Sequence, residues 1–209
     1  MQFIIPFERL MTTNIAFFDF DGTITFSDTF TPFIYRSVDE KTLRRGKLRL
    51  LPYILAYKMG ALSGSILRKK VVRIALAGKS EAELKNAGLF YSKTEIPSLL
   101  REDAMNKINW HKSQGDTVVV VSASLDLYLK PWCEQNGLEL LCSEVAFSGG
   151  KATGNYKQGD CSARLKKTKI IDNYDLSSYK DVYAYGDTKE DLDMLSLASI
   201  KFYQWKEMV

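Results

Sequence analysis

Three short apolar runs along the chain each end abruptly at a polar residue. Ile15-Ala16-Phe17-Phe18 stops at Asp19, Val118-Val119-Val120-Val121 at Ser122, and Val182-Tyr183-Ala184-Tyr185 at Gly186-Asp187. Runs without polar interruption read as strands covered on both faces, because a strand with one wet face alternates apolar and polar residues. Helical stretches intervene at Ser124 to Asn136, Ala163 to Asn173 and Lys189 to Leu197. Strands interleaved with helices predict an α/β layer fold around a parallel, Rossmann-like sheet. Such sheets hold ligands beyond the carboxyl ends of their strands, so the pattern delivers Asp19, Asp21, Ser122 and Asp187 to one crevice.

Nearly a hundred residues separate the first two runs, far more than one crossover helix needs. The excess predicts an inserted helical cap over residues 29–95, leaving 1–28 and 96–209 as the α/β core. Leu62, Ile66, Leu67, Val71, Ile74 and Ala75 recur at helical spacing, and Ser80 with Glu83 forms a capping-box signature. A returning helix is expected from Pro97 to His111, ending at the turn Gln114-Gly115-Asp116. Ser143 to Tyr156 alternates around Ser148-Gly149-Gly150, which signals a small β-hairpin apart from the main sheet.

With 209 residues and 45% hydrophobic types, the chain can bury a sizeable core, and disorder is not the expectation. Its net charge of +4 is unevenly spread: from Arg36 to Arg73, eleven Lys and Arg face only Asp39 and Glu40, a local balance of +9. The apolar run Leu50 to Tyr57 in this stretch is too short to span a bilayer. Basic residues beside Leu, Tyr and Met do suit peripheral contact with an anionic membrane, although a solvated helical face is the favoured reading. No nucleic-acid partner is expected. Cys133, Cys142 and Cys161 show no Cys-x-x-Cys pairing and leave one thiol over in any disulfide scheme, which suits a reducing, cytoplasmic setting. Met1 to Met11 lacks the layout of a signal peptide and is expected to be a short extension before the first strand.

Asp19 and Asp21 stand two positions apart at the end of an apolar strand, where their mutual repulsion calls for a cation. A hard, oxygen-rich site of this kind suits Mg2+. Asp187 and Asp191, four apart at a helix start, could reach the same ion. The plainer alternatives are turn formation for the first pair and helix capping for the second. Ser122 and Ser124 could be helix N-caps.

Asp19-Phe20-Asp21-Gly22-Thr23 resembles the first motif of the haloacid dehalogenase superfamily, most of whose members are phosphatases. Ser122 closing Val118 to Val121 resembles the second motif, and Gly186-Asp187-Thr188-Lys189-Glu190-Asp191 the fourth. Cys161 to Lys166 resembles the run leading to the motif lysine in the helical-cap, phosphoserine-phosphatase-like branch. That branch usually has glycine where this chain has Ala163, so Lys167, Lys169 and Lys151 remain alternatives to Lys166. The resemblance implies that Asp19 attacks phosphorus and that Asp21 serves as acid and then base. It further implies a magnesium ion held by Asp19, the Asp21 backbone carbonyl, Asp187 and Asp191, with Lys166, Thr23, Ser122 and Ala123 around the phosphate. Asp28 stands where the phosphoserine phosphatases that this chain resembles carry a glutamate that reads the substrate's amine. His111, the sole histidine, is expected to have no catalytic role.

The expected partner is a phosphorylated small molecule or a lipid phosphate, as in the phosphatidylglycerophosphate phosphatases that the branch contains. A catalytically idle module that binds phosphate or membrane, and a phosphotransferase, are the alternatives.

Overall fold

The computed structural model describes residues 13–208, so the segment expected as an N-terminal extension lies outside the described residues. In chain order the strands are β1 (Ile15–Phe18), β2 (Thr117–Leu125), β3 (Glu139–Ser143), β4 (Val145–Ser148), β5 (Lys151–Tyr156), β6 (Val182–Gly186), β7 (Ile200–Tyr203) and β8 (Lys206–Met208). The α-helices are α1 (Phe30–Arg36), α2 (Glu40–Lys58), α3 (Gly64–Leu76), α4 (Glu81–Thr94), α5 (Glu102–Ser113), α6 (Asp126–Asn136), α7 (Arg164–Asn173) and α8 (Leu192–Leu195).

Six strands form one sheet in the order β3-β2-β1-β6-β7-β8. All neighbours are parallel except β8, which runs against β7. Successive side chains of a strand face opposite ways, and β1 uses both faces. Ile15 and Phe17 join Val119, Val121, Ile170 and Met194 on one side, while Ala16 and Phe18 join Val120 and Tyr185 on the other. Burying each large side chain of this kind contributes about 1.5–3 kcal/mol, which explains why the run tolerates no polar residue. Phe18 stands level with Val120 on one neighbour and Tyr185 on the other. The residues that follow therefore leave the sheet along the same edge.

Helices α1 to α4 all lie between β1 and β2. Ser80 caps α4 by accepting from the Glu83 amide at 3.5 Å. Helix α4 lies against α6 at Gly88, where a Cβ would stand 2.0 Å from the Leu127 carbonyl oxygen. Helix α3 sits on β5 at Gly154, whose added Cβ would come within 2.9 Å of the Ala77 side chain. Phe33, Leu76, Leu84 and Tyr91 extend the β1 core into these helices. Helix α2 packs on α3, and its only buried residue is Gly46. The β4-β5 hairpin forms a separate sheet and turns at Gly149 and Gly150, both at positive φ, as a two-residue primed turn requires.

Two local expectations are corrected. The helix expected from Pro97 is broken: a 3-10 turn covers Ile96–Leu99, Leu100 is extended, and α5 begins at Glu102. Backbone bonds from Phe26 to the Leu99 carbonyl (3.0 Å) and from Arg101 to the Ile24 carbonyl (2.9 Å) compete with helix formation there. Strand β2 likewise continues past Ser122 to Leu125, so α6 starts at Asp126 rather than at Ser124.

Among the described residues, no helix is long and apolar enough to cross a membrane.

Candidate active site

Strand β1 hands the chain to Asp19, whose amide still bonds to the Tyr185 carbonyl of β6 at 2.9 Å. The next residues turn back sharply, with the Ile24 and Thr25 amides both reaching the Phe20 carbonyl. Gly22 takes φ +87°, and a Cβ there would lie 2.2 Å from an Asp187 carboxylate oxygen. Glycine is therefore required for conformation and for space alike.

The two aspartates of this turn enter different surroundings. Asp19 joins Asp187 and Asp191 in a cluster whose carboxylate oxygens lie within 4.8 Å of one another. Lys166 reaches in from α7, its Nζ donating to Asp19 Oδ1 at 2.5 Å and to Asp191 Oδ1 at 2.6 Å. Asp19, Asp191 and Lys166 are all buried, and Asp187 is half-buried. Burial raises the Asp19 carboxyl well above its ordinary range against the pull of Lys166, and burial with the neighbouring Asp191 also raises Asp187. Burial acts the same way on Asp191, but Lys166 and the Thr188 bonds prevail and hold it low. The same two carboxylates hold Lys166 protonated despite its burial. Three carboxylates against one ammonium leave an excess of negative charge. Hard oxygen donors this close together, with their charge uncompensated, suit a divalent cation such as magnesium.

Asp21 points elsewhere. Its Oδ1 accepts from the Thr29 amide at 2.7 Å and the Thr29 hydroxyl at 2.6 Å, and its Oδ2 accepts from the Ser124 hydroxyl. Thr29 is fixed in turn by the hydroxyl of Tyr128 and by Tyr91, which donates to the Thr29 carbonyl at 3.1 Å. Burial pushes the Asp21 carboxyl up to about 6, against the lowering effect of these hydrogen bonds.

Asp19, Asp21 and Asp191 border a crevice of about 380 Å³ that Asp28, Ser122, Ala123 and Lys166 also line. The Ser122 hydroxyl accepts from the Ser124 amide at 3.1 Å, and Thr23 donates to Asp187 at 3.2 Å. Asp28 is exposed and caps α1, accepting from the amides of Phe30 and Thr31. Of the candidate lysines, only Lys166 reaches the carboxylates. Lys167 bonds Ser196, Lys169 bonds the Cys142 carbonyl, and Lys151 lies exposed in the hairpin. His111 is buried away from the crevice, between Asp116 (2.8 Å) and Tyr185 (2.9 Å).

Thr29, Arg68 and Asp160 escaped the reading of the sequence, which took Ser124 only as a possible helix N-cap. Arg68, on α3, lines the crevice and binds both Asp160 and Glu190. A larger groove of about 1180 Å³ lies between α6 and β3, but its lysines and acids are balanced, as with Lys157 on Glu144.

Residues 16–196, which include every residue of this crevice, match the family described as haloacid dehalogenase-like hydrolase. The chain belongs to the haloacid dehalogenase-like hydrolases. Protein CicA of Caulobacter vibrioides is similar at 32% identity over 90% of this chain and 84% of the relative. A protein of unknown function from Bordetella pertussis Tohama I superposes with a TM-score of 0.77 at 19% identity, covering 92% of this chain and 90% of the other. A phosphoserine phosphatase solved as an analogue of its phospho-aspartyl intermediate superposes with a TM-score of 0.58 at 21% identity, covering 92% and 86% of the two chains. This haloacid dehalogenase-like hydrolase thus has the fold of the phosphoserine phosphatases.

Proposed function

We propose that this hydrolase is a magnesium-dependent phosphatase that cleaves a phosphate monoester through an aspartyl phosphate on Asp19. The observation that carries the reading is the contrast between two carboxylates two residues apart. Asp19 sits among charges at Lys166, and Asp21 sits apart among hydroxyl donors. Two carboxyl groups in unlike surroundings can take unlike roles.

In the first step an Asp19 carboxylate oxygen bonds to phosphorus as the ester oxygen leaves, and Asp21 gives that oxygen its proton. Asp21 then takes a proton from the water that attacks phosphorus, which frees phosphate and restores Asp19. An Asp21 carboxyl titrating at about 6 suits both directions of transfer near neutral pH. Lys166 orients Asp19 and offsets phosphoryl charge, while Thr23, Ser122 and the Ala123 backbone hold phosphoryl oxygens. Asp19, Asp187 and Asp191, with the Asp21 backbone carbonyl, would hold magnesium. When bound, the ion would supply positive charge that offsets the charge of the phosphoryl group.

The helices over residues 29–95 act in this reading as a cap that selects the leaving alcohol, over a core of 1–28 and 96–209. Asp28 keeps carboxylate lone pairs free for a polar group of that alcohol. The substrate is a phosphorylated small molecule or a lipid phosphate. Phosphate release from p-nitrophenyl phosphate, with magnesium and after chelation, tests the reaction. Turnover should require the ion, and Asp19→Asn should lower it by about a thousandfold or more. Full activity in Asp19→Asn would end the assignment.

A further inference from the structure

Beside the polar crevice lies a second cavity of about 220 Å³ among α1, α2 and α3. Ile34, Leu50, Ile54, Val71 and Ile74 contribute its apolar walls, and Gly46 leaves room on the α2 side. Phe30, Thr31 and Leu67 line both this cavity and the crevice. Protein interiors seldom leave apolar space of this size empty. Apolar cavities of about 150 Å³ stay dry and take up apolar molecules. Here such a space adjoins the place where a phosphate ester would be cleaved.

The opposite face of α2 is apolar and uncovered. Leu48, Leu51, Leu55 and Met59 recur at helical spacing and are 74%, 51%, 51% and 76% exposed. Lys41, Arg44, Arg45, Lys47, Arg49 and Lys58 share the helix with a single acid, Glu40. None of the six forms an ion pair among the described residues. Tyr57, near the end of α2, lines the crevice. A second copy of this chain is a poor occupant of the face, because two such helices would oppose like charges. An anionic lipid surface complements both the charge and the exposed leucines.

We propose that the substrate is a lipid phosphate monoester, taken from an anionic membrane on which α2 lies, with its hydrocarbon chain in the α1-α2-α3 cavity. This rests on the phosphatase reading of the crevice and names the substrate class of that site. The leaving alcohol bears the chain, so the cavity acts by binding and orientation.

The test compares monoacylglycerol phosphates of increasing chain length with glycerol phosphate and p-nitrophenyl phosphate, in magnesium. The lipid substrates are presented in vesicles of phosphatidylcholine with or without phosphatidylglycerol. For the unaltered protein, kcat/KM should rise two- to fourfold per added methylene, the range that burying each one supports, until the chain outgrows the cavity. Vesicles containing phosphatidylglycerol should pellet the protein at low salt and release it at high salt. Leu51→Asp with Leu55→Asp should abolish pelleting and lower the vesicle rate about tenfold, with p-nitrophenyl phosphate turnover unchanged. Gly46→Leu should fill the cavity and lower lipid turnover selectively. Should that variant unfold, the chain-length series on the unaltered protein still decides. A rate independent of chain length, pelleting that ignores lipid charge or salt, or self-association through α2 without vesicle binding would each overturn the proposal. Turnover of p-nitrophenyl phosphate alone leaves the phosphatase standing and removes the lipid substrate, whereas no turnover of any ester removes both.

Discussion

Arg68 on α3 grips Asp160, ninety-two positions away, with Nε on Oδ1 at 2.9 Å and Nη2 on Oδ2 at 2.8 Å. The same Nη2 lies 2.8 Å from Glu190, between Asp187 and Asp191. One guanidinium thus ties the helical insertion to the segments that carry Lys166 and the acidic cluster. The Asp160 carboxylate is buried, and its other bond comes from the Ser162 hydroxyl. Arg68→Ala should therefore cost about 2–3 kcal/mol, at or just below the range for breaking a buried pair, because Arg68 itself remains partly exposed. Urea titration measures this. Arg68→Lys should recover only part of the loss, since an ammonium cannot make the two-pronged contact.

Gly22→Ala should leave the protein folded but lower turnover a hundredfold or more. An added methyl group must displace the Asp187 carboxylate, at a φ that alanine resists. Misplacement of about 1 Å near the reacting groups is enough for a loss of this size. Steady-state kinetics beside a circular-dichroism melt would separate lost catalysis from lost folding. Normal turnover in this variant would show that Asp187 need not hold its position.

His111 predicts a pH dependence of stability. Burial, the leading effect, lowers its pKa below the ordinary value of 6.5, against the Asp116 bond. Burial would raise Asp116, yet the bonds from His111 and Asn14 hold it low. An ionised Asp116 only accepts, so the neutral ring donates from Nδ1 and accepts the Tyr185 hydroxyl at Nε2. The unfolded chain takes up a proton as pH falls through 6.5 while the folded chain resists it. The stabilising effect of this group is therefore complete above that value and fades below it. Urea midpoints at pH 7 and pH 5 should show the decline, and His111→Gln should flatten it. An unchanged slope in the variant would refute the assignment.

Ala163 takes φ +45° just before α7, a conformation that suits glycine far better than alanine. Ala163→Gly should raise stability by roughly 1 kcal/mol, with the gain in the folded state partly offset by a more flexible unfolded chain. Thermal melting would measure the change. A lower melting temperature would mean that the methyl group packs usefully enough to offset the strain.

The sheet was legible because β1, the start of β2 and β6 are buried on both faces, so their sequences admit no polar break. The convergence of Asp19 and Asp187 could be read from strand ends, whereas Lys166 came from the resemblance of its surrounding run, which left Lys167, Lys169 and Lys151 open. Arg68 and Asp160 could not, since an ion pair between distant segments leaves no local periodicity. Thr29 was hidden for the same reason: its role depends on Asp21, Tyr91 and Tyr128 meeting in space. The break at Leu100 depends on backbone partners near Ile24. Strand β7 is only half-buried at every position, so neither an unbroken nor an alternating pattern marks it.

Two glycines fix how closely α3 and α4 sit against their neighbours. At Gly88 the backbone of α4 rests on the Leu127 carbonyl, and at Gly154 β5 rests on Ala77 and the Arg73 backbone, contacts so close that neither position has room for a side chain. Helix α2 has no comparable anchor, burying only Gly46 and lying over empty volume. Any widening to admit a bulky ester falls to α2, which would swing while α3 and α4 serve as its fixed frame.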